Sequence, residues 1–207
     1  MYLEQPLQHY LDELASAQPT PGGGSAAALS GAMGAGLASM VARLTQGKAG
    51  YEAVQDEIAE RIIETEQLRT RFQELMQEDI EAYGRLSACF KMPRGTDEER
   101  IARSQAIQAR LGEAALVPLE VAECAARLVL SCQRIAEIGN VKVLSDIATG
   151  TMLASSAGAG ASWMVRTNLL SMKNEEQVNV LSERLNVALD TITVQSQQVV
   201  ALVREKA

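Results

Sequence analysis

Two aspartates lie in apolar stretches of this 207-residue sequence, where a carboxylate could take part in proton transfer. Asp79 falls on an apolar stripe with helical spacing, one turn from Leu75 and one turn from Tyr83. A carboxylate there has a desolvation cost unless it is paired or used, and burial would raise its pKa toward values suited to acid–base catalysis. A salt bridge, or a helix cap provided to a neighbouring helix, explains the position equally well. The spacing therefore leaves a catalytic and a structural role open.

Asp146 is the more isolated carboxylate, because it is the only ionisable side chain between Lys142 and Arg166. It closely follows the turn sequence GNVK, which is typical of a residue that caps a helix N-terminus, and a capping carboxylate can also serve a site. Glu78 points about 100° away from Asp79 on a helix, so it lies either beside the same site or outside it.

A glycine-rich turn near the N-terminus is a candidate for ligand binding. The sequence QPTPGGGS leads into a stretch without charged side chains that continues to Arg43. Neither nucleotide fingerprint is present, since there is no GxxxxGK(S/T) motif and no strand precedes the glycines. Such a turn presents unpaired backbone N–H groups to an anion or to the polar edge of a ligand, although a plain turn with Ser25 as the N-cap explains the spacing better. The candidate ligand-binding residues here are Pro21, Gly22, Gly23, Gly24 and Ser25.

Three cations and one amide that flank the uncharged stretches complete the set of candidates. Lys48, Lys142 and Arg166 are each explained as solvated charges at helix ends, although together they could receive an anionic substrate. Asn140 either shapes the turn ahead of Asp146 or contacts a ligand.

Helices must position all of these residues, because no stretch alternates convincingly with a period of two. The apolar periodicity predicts an all-α protein, a bundle of long antiparallel helices in one domain spanning residues 1–207. Pro118 is expected to kink or divide the stretch from Glu98 to Glu137, and Thr96 or Asp97 is expected to cap its start. The other predicted helices are Leu3 to Ala17, about Ser25 to Gln46, Val54 to Phe90, the uncharged run Val143 to Val165, and a last helix that carries Val178 to Leu202.

Two of these helices are long and uncharged enough to raise the question of a membrane span. Leu, Ile, Phe and Val supply the driving force for insertion into lipid, and they are sparse here, whereas Ala, Gly and Ser gain little. Small residues at four-residue steps allow helix backbones to approach closely, so we expect two buried central helices and no transmembrane helix. These positions are Ala27, Gly31, Ala35 and Ser39 in the first and Ala154, Gly158 and Ser162 in the second.

Composition narrows the class of function. The net charge of −7 and the pI near 4.9 disfavour binding to nucleic acid or to anionic membranes. His9 is the only histidine, which argues against the usual His/Cys zinc sites and against Ser-His-Asp catalysis. Cys89, Cys124 and Cys132 form no CxxC pair and are predicted to be reduced packing residues of a cytoplasmic protein.

Six motifs occur in one order along nearly the whole chain: PTPGGGSAAALSGAMGAGLASMVARLTQGK, EDIEAY, KMPRGTDEER, VPLEVAE, GNVKVLSD and VRTNL. Together they resemble the cyclodeaminase domain of formiminotransferase-cyclodeaminase. They are equally similar to its free-standing bacterial relatives, which include methenyltetrahydrofolate cyclohydrolase of the serine-cycle type. The formiminotransferase domain has no counterpart in this sequence, so transfer from formiminoglutamate is not expected of this chain alone.

The resemblance implies an all-helical homodimer with a folate site near the glycine turn and between helices. It implies either hydrolysis of 5,10-methenyltetrahydrofolate to 10-formyltetrahydrofolate, or closure of 5-formiminotetrahydrofolate to the methenyl compound with release of ammonia. Neither reaction needs a metal or a redox cofactor, so a tetrahydrofolate derivative is expected as substrate and no cofactor is expected. The alternative is a non-catalytic helical folate-binding or assembly module that kept the fold and lost the chemistry.

Both reactions pass through a tetrahedral carbon between two folate nitrogens, where a carboxylate can stabilise cationic charge and carry a proton. On the resemblance, Asp79 and Asp146 are assigned to acid–base and electrostatic roles, with Glu78 as the weaker candidate. The glycine turn is expected to line the edge of the folate ring, and the flanking cations to meet the glutamate carboxylates. Relatives often have a small or amide residue where this chain has Lys142, which leaves the contact of Asn140 open.

Overall fold

The computed structural model describes residues 2–206, which form six α-helices, three short 3-10 segments and the turns between them. No β-strand occurs in residues 2–206, so the predicted all-α class is confirmed. The helices are α1 (Leu7–Leu14), α2 (Gly23–Arg43), α3 (Gln55–Phe90), α4 (Asp97–Ile138), α5 (Leu144–Leu170) and α6 (Glu175–Lys206).

The small-residue helices α2 and α5 are packed together inside the bundle in opposite directions. A Cβ atom on Gly34 would lie 2.7 Å from the carbonyl oxygen of Gly150, and one on Gly150 would lie 3.0 Å from that of Gly34. A Cβ atom on Gly31 would lie 2.6 Å from Cδ1 of Phe72, so α3 also packs on this stripe of α2. Larger side chains would force the helices apart. The predicted pair of buried helices rich in Ala, Gly and Ser is therefore confirmed.

α2 is the one helix in residues 2–206 that is long and apolar enough to cross a membrane, with a mean hydropathy of 1.4 in its most apolar window. In the bundle, 61% of that window is buried. The helices that cover it are mainly α3 and α5. Because a buried core helix passes the same length and composition test, we interpret α2 as a core helix.

α4 continues without a break through Pro118, so the expected division of this stretch does not occur. Proline has no N–H, and the carbonyl of Ala114 therefore lacks its donor within the helix. The side chain of Asn168 in α5 donates to that carbonyl instead, with Nδ2 2.9 Å from the oxygen. At the start of α4, Thr96 is the N-cap as predicted, in a reciprocal capping box with Glu99.

α1 is shorter than predicted, because a separate 3-10 turn occupies Tyr2–Glu4 and Pro6 is the N-cap of the α-helix that begins at Leu7. Of the side chains of α1, only Tyr10 is buried. Its phenol oxygen lies 3.1 Å from Oγ of Ser25, so α1 is attached to the first turn of α2.

Candidate active site

The glycine turn leads directly into α2, whose N-cap is Gly22 and whose first residue is Gly23. Ser25 is therefore not the N-cap that the spacing favoured. It lies inside the first turn, and its hydroxyl donates to the carbonyl of Gly22 at 3.0 Å. Because no side chain of the turn caps this helix, the first N–H groups of α2 are open to an acceptor from elsewhere.

Asp79 of α3 provides such an acceptor. Its carboxylate accepts a hydrogen bond from the backbone N–H of Ser25. Gly24 makes the approach possible, because a Cβ atom at this position would lie only 2.5 Å from Cγ of Asp79. Asp79 thus caps a neighbouring helix, which is one of the roles that the sequence left open.

The protonation of Asp79 is also unusual. Burial raises its pKa from the ordinary value of 3.8 to about 6, although the hydrogen bond from the N–H of Ser25 partly offsets this effect. In residues 2–206 no lysine or arginine forms an ion pair with it, so the salt-bridge interpretation is not supported. Near neutral pH such a group is mostly ionised yet readily protonated, which suits a general acid or base.

Asp79 borders an open cavity of about 180 Å³. Pockets for complete drug-sized ligands are typically about 300–1,000 Å³, so the cavity accommodates one ring system of a larger molecule. The glycine turn forms one wall, and Met164, Thr167 and Asn168 of α5 form another. Tyr83 also lines the cavity and is 40% exposed, so it does not belong to the buried stripe that its spacing predicted.

Three of the five candidate residues in the turn face this cavity. Gly22, Gly23 and Gly24 line it, whereas Pro21 and Ser25 are buried and do not. The predicted role of the turn as a wall for a ring edge therefore depends on the backbone of the three glycines.

Asp146 does not lie at this cavity. It is in the first turn of α5, eighteen residues before Met164, which corresponds to about 27 Å along a helix. It is not a helix cap either, because the N-cap of α5 is Val143 and no side chain caps this end. Asp79 and Asp146 therefore occupy opposite ends of the bundle.

Asn140 lies at the same end as Asp146, and its hydrogen bonds shape the turn. Its backbone N–H donates to Oγ1 of Thr45 at 2.9 Å, and its Nδ2 donates to the carbonyl of Leu44 at 3.2 Å. Its Oδ1 accepts from the backbone N–H of Lys142 at 3.1 Å. Asn140 therefore has the structural role that the sequence left open.

The three candidate cations are divided between the two ends. Lys48 follows the C-terminus of α2 and Lys142 precedes α5, which places both away from the cavity. Arg166 is exposed and lies between Met164 and Thr167, which both line the cavity. None of the three candidate cations lines the cavity, because Arg166 is two residues from both Met164 and Asn168 and therefore lies on another face of α5.

Glu78 is bound at the contact between α3 and α4 and does not line the cavity. Its two carboxylate oxygens accept hydrogen bonds from Arg71 at 2.6 and 3.0 Å. The same guanidinium also donates to Glu120 of α4 at 2.6 and 2.8 Å. The geometry gives Glu78 a packing role between helices.

Sequence reasoning did not single out the α5 wall of the cavity. Met164, Thr167 and Asn168 share one helix face, because they are three and four residues apart. The only available signal was the motif VRTNL, which contains Thr167 and Asn168. Tyr10, which supports the turn from behind, carried no signal that distinguishes it from an ordinary core residue.

The polar groups at the cavity are a carboxylate, an amide, hydroxyls and the backbone of the glycine turn. In the described part of the chain, no group of three or more His, Cys, Asp or Glu side chains could hold a metal ion. The arrangement can bind a ring by its polar edge and move a proton at an atom beside Asp79. That the protein needs no cofactor stays a prediction.

The fold and the site define a class of helical bundle in which a carboxylate from one helix caps a glycine turn beside a small cavity. Residues 6–187 match the family described as Formiminotransferase-cyclodeaminase. The chain therefore belongs to this family, as the sequence motifs predicted.

Individual relatives agree with this assignment. The chain is 38% identical over 162 residues to the methenyltetrahydrofolate cyclohydrolase of Methylorubrum extorquens, an alignment that covers 78% of each chain. It is 29% identical over 201 residues to the formimidoyltransferase-cyclodeaminase of Rattus norvegicus, covering 97% of this chain but 36% of that protein. The crystal structure of formiminotetrahydrofolate cyclodeaminase from Thermotoga maritima matches with a TM-score of 0.89 and 28% identity, over 98% of both chains.

Proposed function

We propose that this protein is a one-carbon folate enzyme that hydrolyses 5,10-methenyltetrahydrofolate to 10-formyltetrahydrofolate. The observation that carries the proposal is the Asp79 carboxylate, which borders the cavity with a pKa of about 6 and no cationic partner. The identity of 38% to the Methylorubrum cyclohydrolase favours hydrolysis as the reaction. A non-catalytic module would need Asp79 only to cap α2, and an uncharged asparagine or serine caps a helix without the cost of burying a charge.

The chemistry follows from the charge of the substrate. The methenyl carbon shares a positive charge with N5 and N10, and a carboxylate beside it stabilises that cation. Asp79 accepts a proton from water while the water oxygen bonds to the methenyl carbon. The C–N5 bond then breaks, N5 takes the proton back from Asp79, and the remaining hydroxyl releases its proton to solvent to leave a formyl group on N10. One water is consumed, one proton is released, and the carboxylate is regenerated.

Closure of 5-formiminotetrahydrofolate is the second candidate, and the full-length match to the Thermotoga cyclodeaminase favours it. In that reaction N10 attacks the formimino carbon, and Asp79 carries a proton to the nitrogen that leaves as ammonia. The same carboxylate beside the same carbon therefore serves either reaction.

The absorbance of 5,10-methenyltetrahydrofolate near neutral pH, followed with and without the protein, tests the proposal. Loss of the methenyl band faster than in buffer supports the hydrolase, and growth of the band from 5-formiminotetrahydrofolate supports the deaminase. If the protein changes neither rate and calorimetry detects no folate binding, the proposal fails.

The pH dependence of the rate should report the titration of Asp79. We expect kcat/KM for hydrolysis to fall as the pH is lowered through about 6, because protonation removes the base. Well below that value the fall should approach about tenfold per pH unit, after subtraction of the rate in buffer. A profile without an inflection within about one unit of this pH would contradict the assignment of Asp79 as the base.

We further propose that the protein acts as a cytoplasmic homodimer, joined through the exposed face of α2 and α5. This face carries no charged side chain in α2 before Arg43 and none in α5 between Asp146 and Arg166. An apolar surface of this kind is typical of a protein–protein contact. The same face of a second copy is equally uncharged, so two copies can pack together through it. Its exposed large side chains are Met33 (49% exposed), Met40 (37%), Met152 (60%) and Trp163 (68%).

A two-fold axis through the middle of this face would make one site from two protomers. The axis reverses the helix direction, so the Asp146 end of one protomer would lie beside the cavity of its partner. Such a dimer would enlarge a cavity of about 180 Å³ and reunite Asp79 with Asp146 at one folate.

Mixing two inactive variants tests the shared site. Asp79→Asn and Asp146→Asn should each be nearly inactive alone, whereas an exchanged equimolar mixture should regain about a quarter of the wild-type activity, because half of the dimers are mixed and each has one intact site. The control is a mixture of Asp79→Asn with the double variant, which contains no intact site. Mixed dimers identified by native mass spectrometry without any recovery of activity would contradict the shared site.

A further inference from the structure

Pro118 fixes the orientation of the side-chain amide of Asn168 through the backbone carbonyl of Ala114. In an uninterrupted helix the N–H of residue 118 would donate to the carbonyl of Ala114, and proline has no N–H. Nδ2 of Asn168 takes that place, 2.9 Å from the oxygen. A carbonyl oxygen only accepts hydrogen bonds, so the NH2 group of Asn168, and not its Oδ1, faces Ala114.

This orientation leaves Oδ1 of Asn168 as an acceptor at the cavity. Asn168 and Ala114 both line the cavity beside Asp79. In residues 2–206 the only hydrogen bond of the Asn168 side chain is the one to Ala114, and Oδ1 is not one of the enclosed atoms that lack a partner. Oδ1 is therefore accessible from outside the protein.

We propose that Asn168 is a substrate-binding residue whose Oδ1 accepts a hydrogen bond from a ring N–H of the folate, and that Pro118 is the positioning residue that holds this acceptor in place. The inference rests on the proposed folate function. Asn168 and Asp79 give the cavity two acceptors, which together select a ligand edge rich in N–H donors. The reduced pterin ring of tetrahydrofolate has such an edge.

A double-mutant cycle separates this role from general packing. Asn168→Ala should raise KM about tenfold, the effect of one lost hydrogen bond, with little change in kcat. Pro118→Ala should raise KM about fivefold, because the new N–H at residue 118 takes over the carbonyl of Ala114 and releases the amide of Asn168. In the double variant KM should equal that of Asn168→Ala alone, because residues that act through one contact are not additive.

An NMR measurement reads the orientation without any activity. In the wild type one of the two side-chain amide protons of Asn168, assigned by its loss in Asn168→Ala, should be shifted and protected from exchange. In Pro118→Ala both should become like those of a solvated amide, while the melting temperature does not fall because alanine suits a helix better than proline. The matched control is Pro93→Ala at an exposed proline between α3 and α4, which should change neither KM nor these signals.

The outcomes distinguish the inference from the function on which it rests. A wild-type KM in an active Asn168→Ala variant overturns the assignment of Asn168 and leaves the folate function standing. If Pro118→Ala raises KM by the same factor in the wild type and in the Asn168→Ala variant, the assignment of Pro118 is overturned. A wild-type protein inert toward both folates overturns the proposed function, and with it the ligand assigned to Asn168, whatever the amide signals show.

Discussion

Replacing Asp79 by asparagine should lower kcat for methenyltetrahydrofolate hydrolysis by about 10²- to 10⁴-fold, the usual contribution of a general acid or base. Asparagine keeps the shape of the side chain and an oxygen that can accept the hydrogen bond from the N–H of Ser25. It cannot accept or return a proton, so the loss should appear in kcat far more than in KM. Initial rates at saturating substrate, compared with the rate in buffer, measure the effect.

The stability of the same variant shows whether the loss is chemical. Because burial raises the pKa of Asp79 above its unfolded value, the ionised carboxylate makes the native state less stable. This penalty is fully present above about pH 6 and absent below about pH 4. Asp79→Asn should therefore melt at a higher temperature than the wild type in mildly alkaline buffer, and the difference should shrink toward pH 4.

Glu81→Gln is the matched control for Asp79→Asn, because Glu81 is an exposed carboxylate of the same helix and does not line the cavity. It should retain nearly the full rate. Full activity in a correctly folded Asp79→Asn variant would refute the proposed mechanism, and equal losses in both variants would show a non-specific effect of charge.

A single methyl group on Gly24 should have the second large effect. The Cβ atom of Gly24→Ala would lie 2.5 Å from Cγ of Asp79, so the carboxylate has to leave its place at the start of α2. A displacement of about 1 Å in a catalytic group can lower the rate about 10²-fold, and we expect a loss of that order in kcat. The measurement is the rate at saturating folate together with the melting temperature.

Gly84→Ala is the control for the change from glycine to alanine. Gly84 lies in the same helix as Asp79, and a Cβ atom there meets nothing within 4 Å. This variant should keep its activity and gain about 0.4–1 kcal/mol in the free energy of unfolding. If Gly24→Ala behaved like Gly84→Ala, the close approach of Asp79 to the turn would not matter for the reaction.

The fold could be predicted because helical periodicity and small-residue steps are local properties of the sequence. The stripe from Ala27 to Ser39 predicted a buried helix, and α2 is buried through those residues. The predicted division at Pro118 was wrong because the helix-breaking tendency of proline is local, whereas the hydrogen bond from Asn168 to the carbonyl of Ala114 comes from a distant part of the chain.

The candidate site was only partly predictable, because a sequence does not say which ends of antiparallel helices meet. Asp79 was recognised since a carboxylate on an apolar stripe is visible in sequence, and the structure places it at the cavity. Asp146 and Asn140 have comparable sequence signals but lie at the other end of the bundle. Asn168 had almost no signal, because an amide near the end of a helix, two residues after Arg166, resembles any partly exposed polar residue.

The contact between α2 and α5 has a consequence for how the cavity can change. Glycine and alanine have no rotamers, so this contact loses little side-chain entropy on folding and has few side chains that could readjust. The spacing of the two helices is set by their backbones at Gly34 and Gly150. The glycine turn at one end of α2 and the cavity wall on α5 are therefore held at a fixed distance from each other. New ligand preferences would have to arise from the residues that line the cavity, because a larger side chain at the contact between α2 and α5 would displace the whole wall.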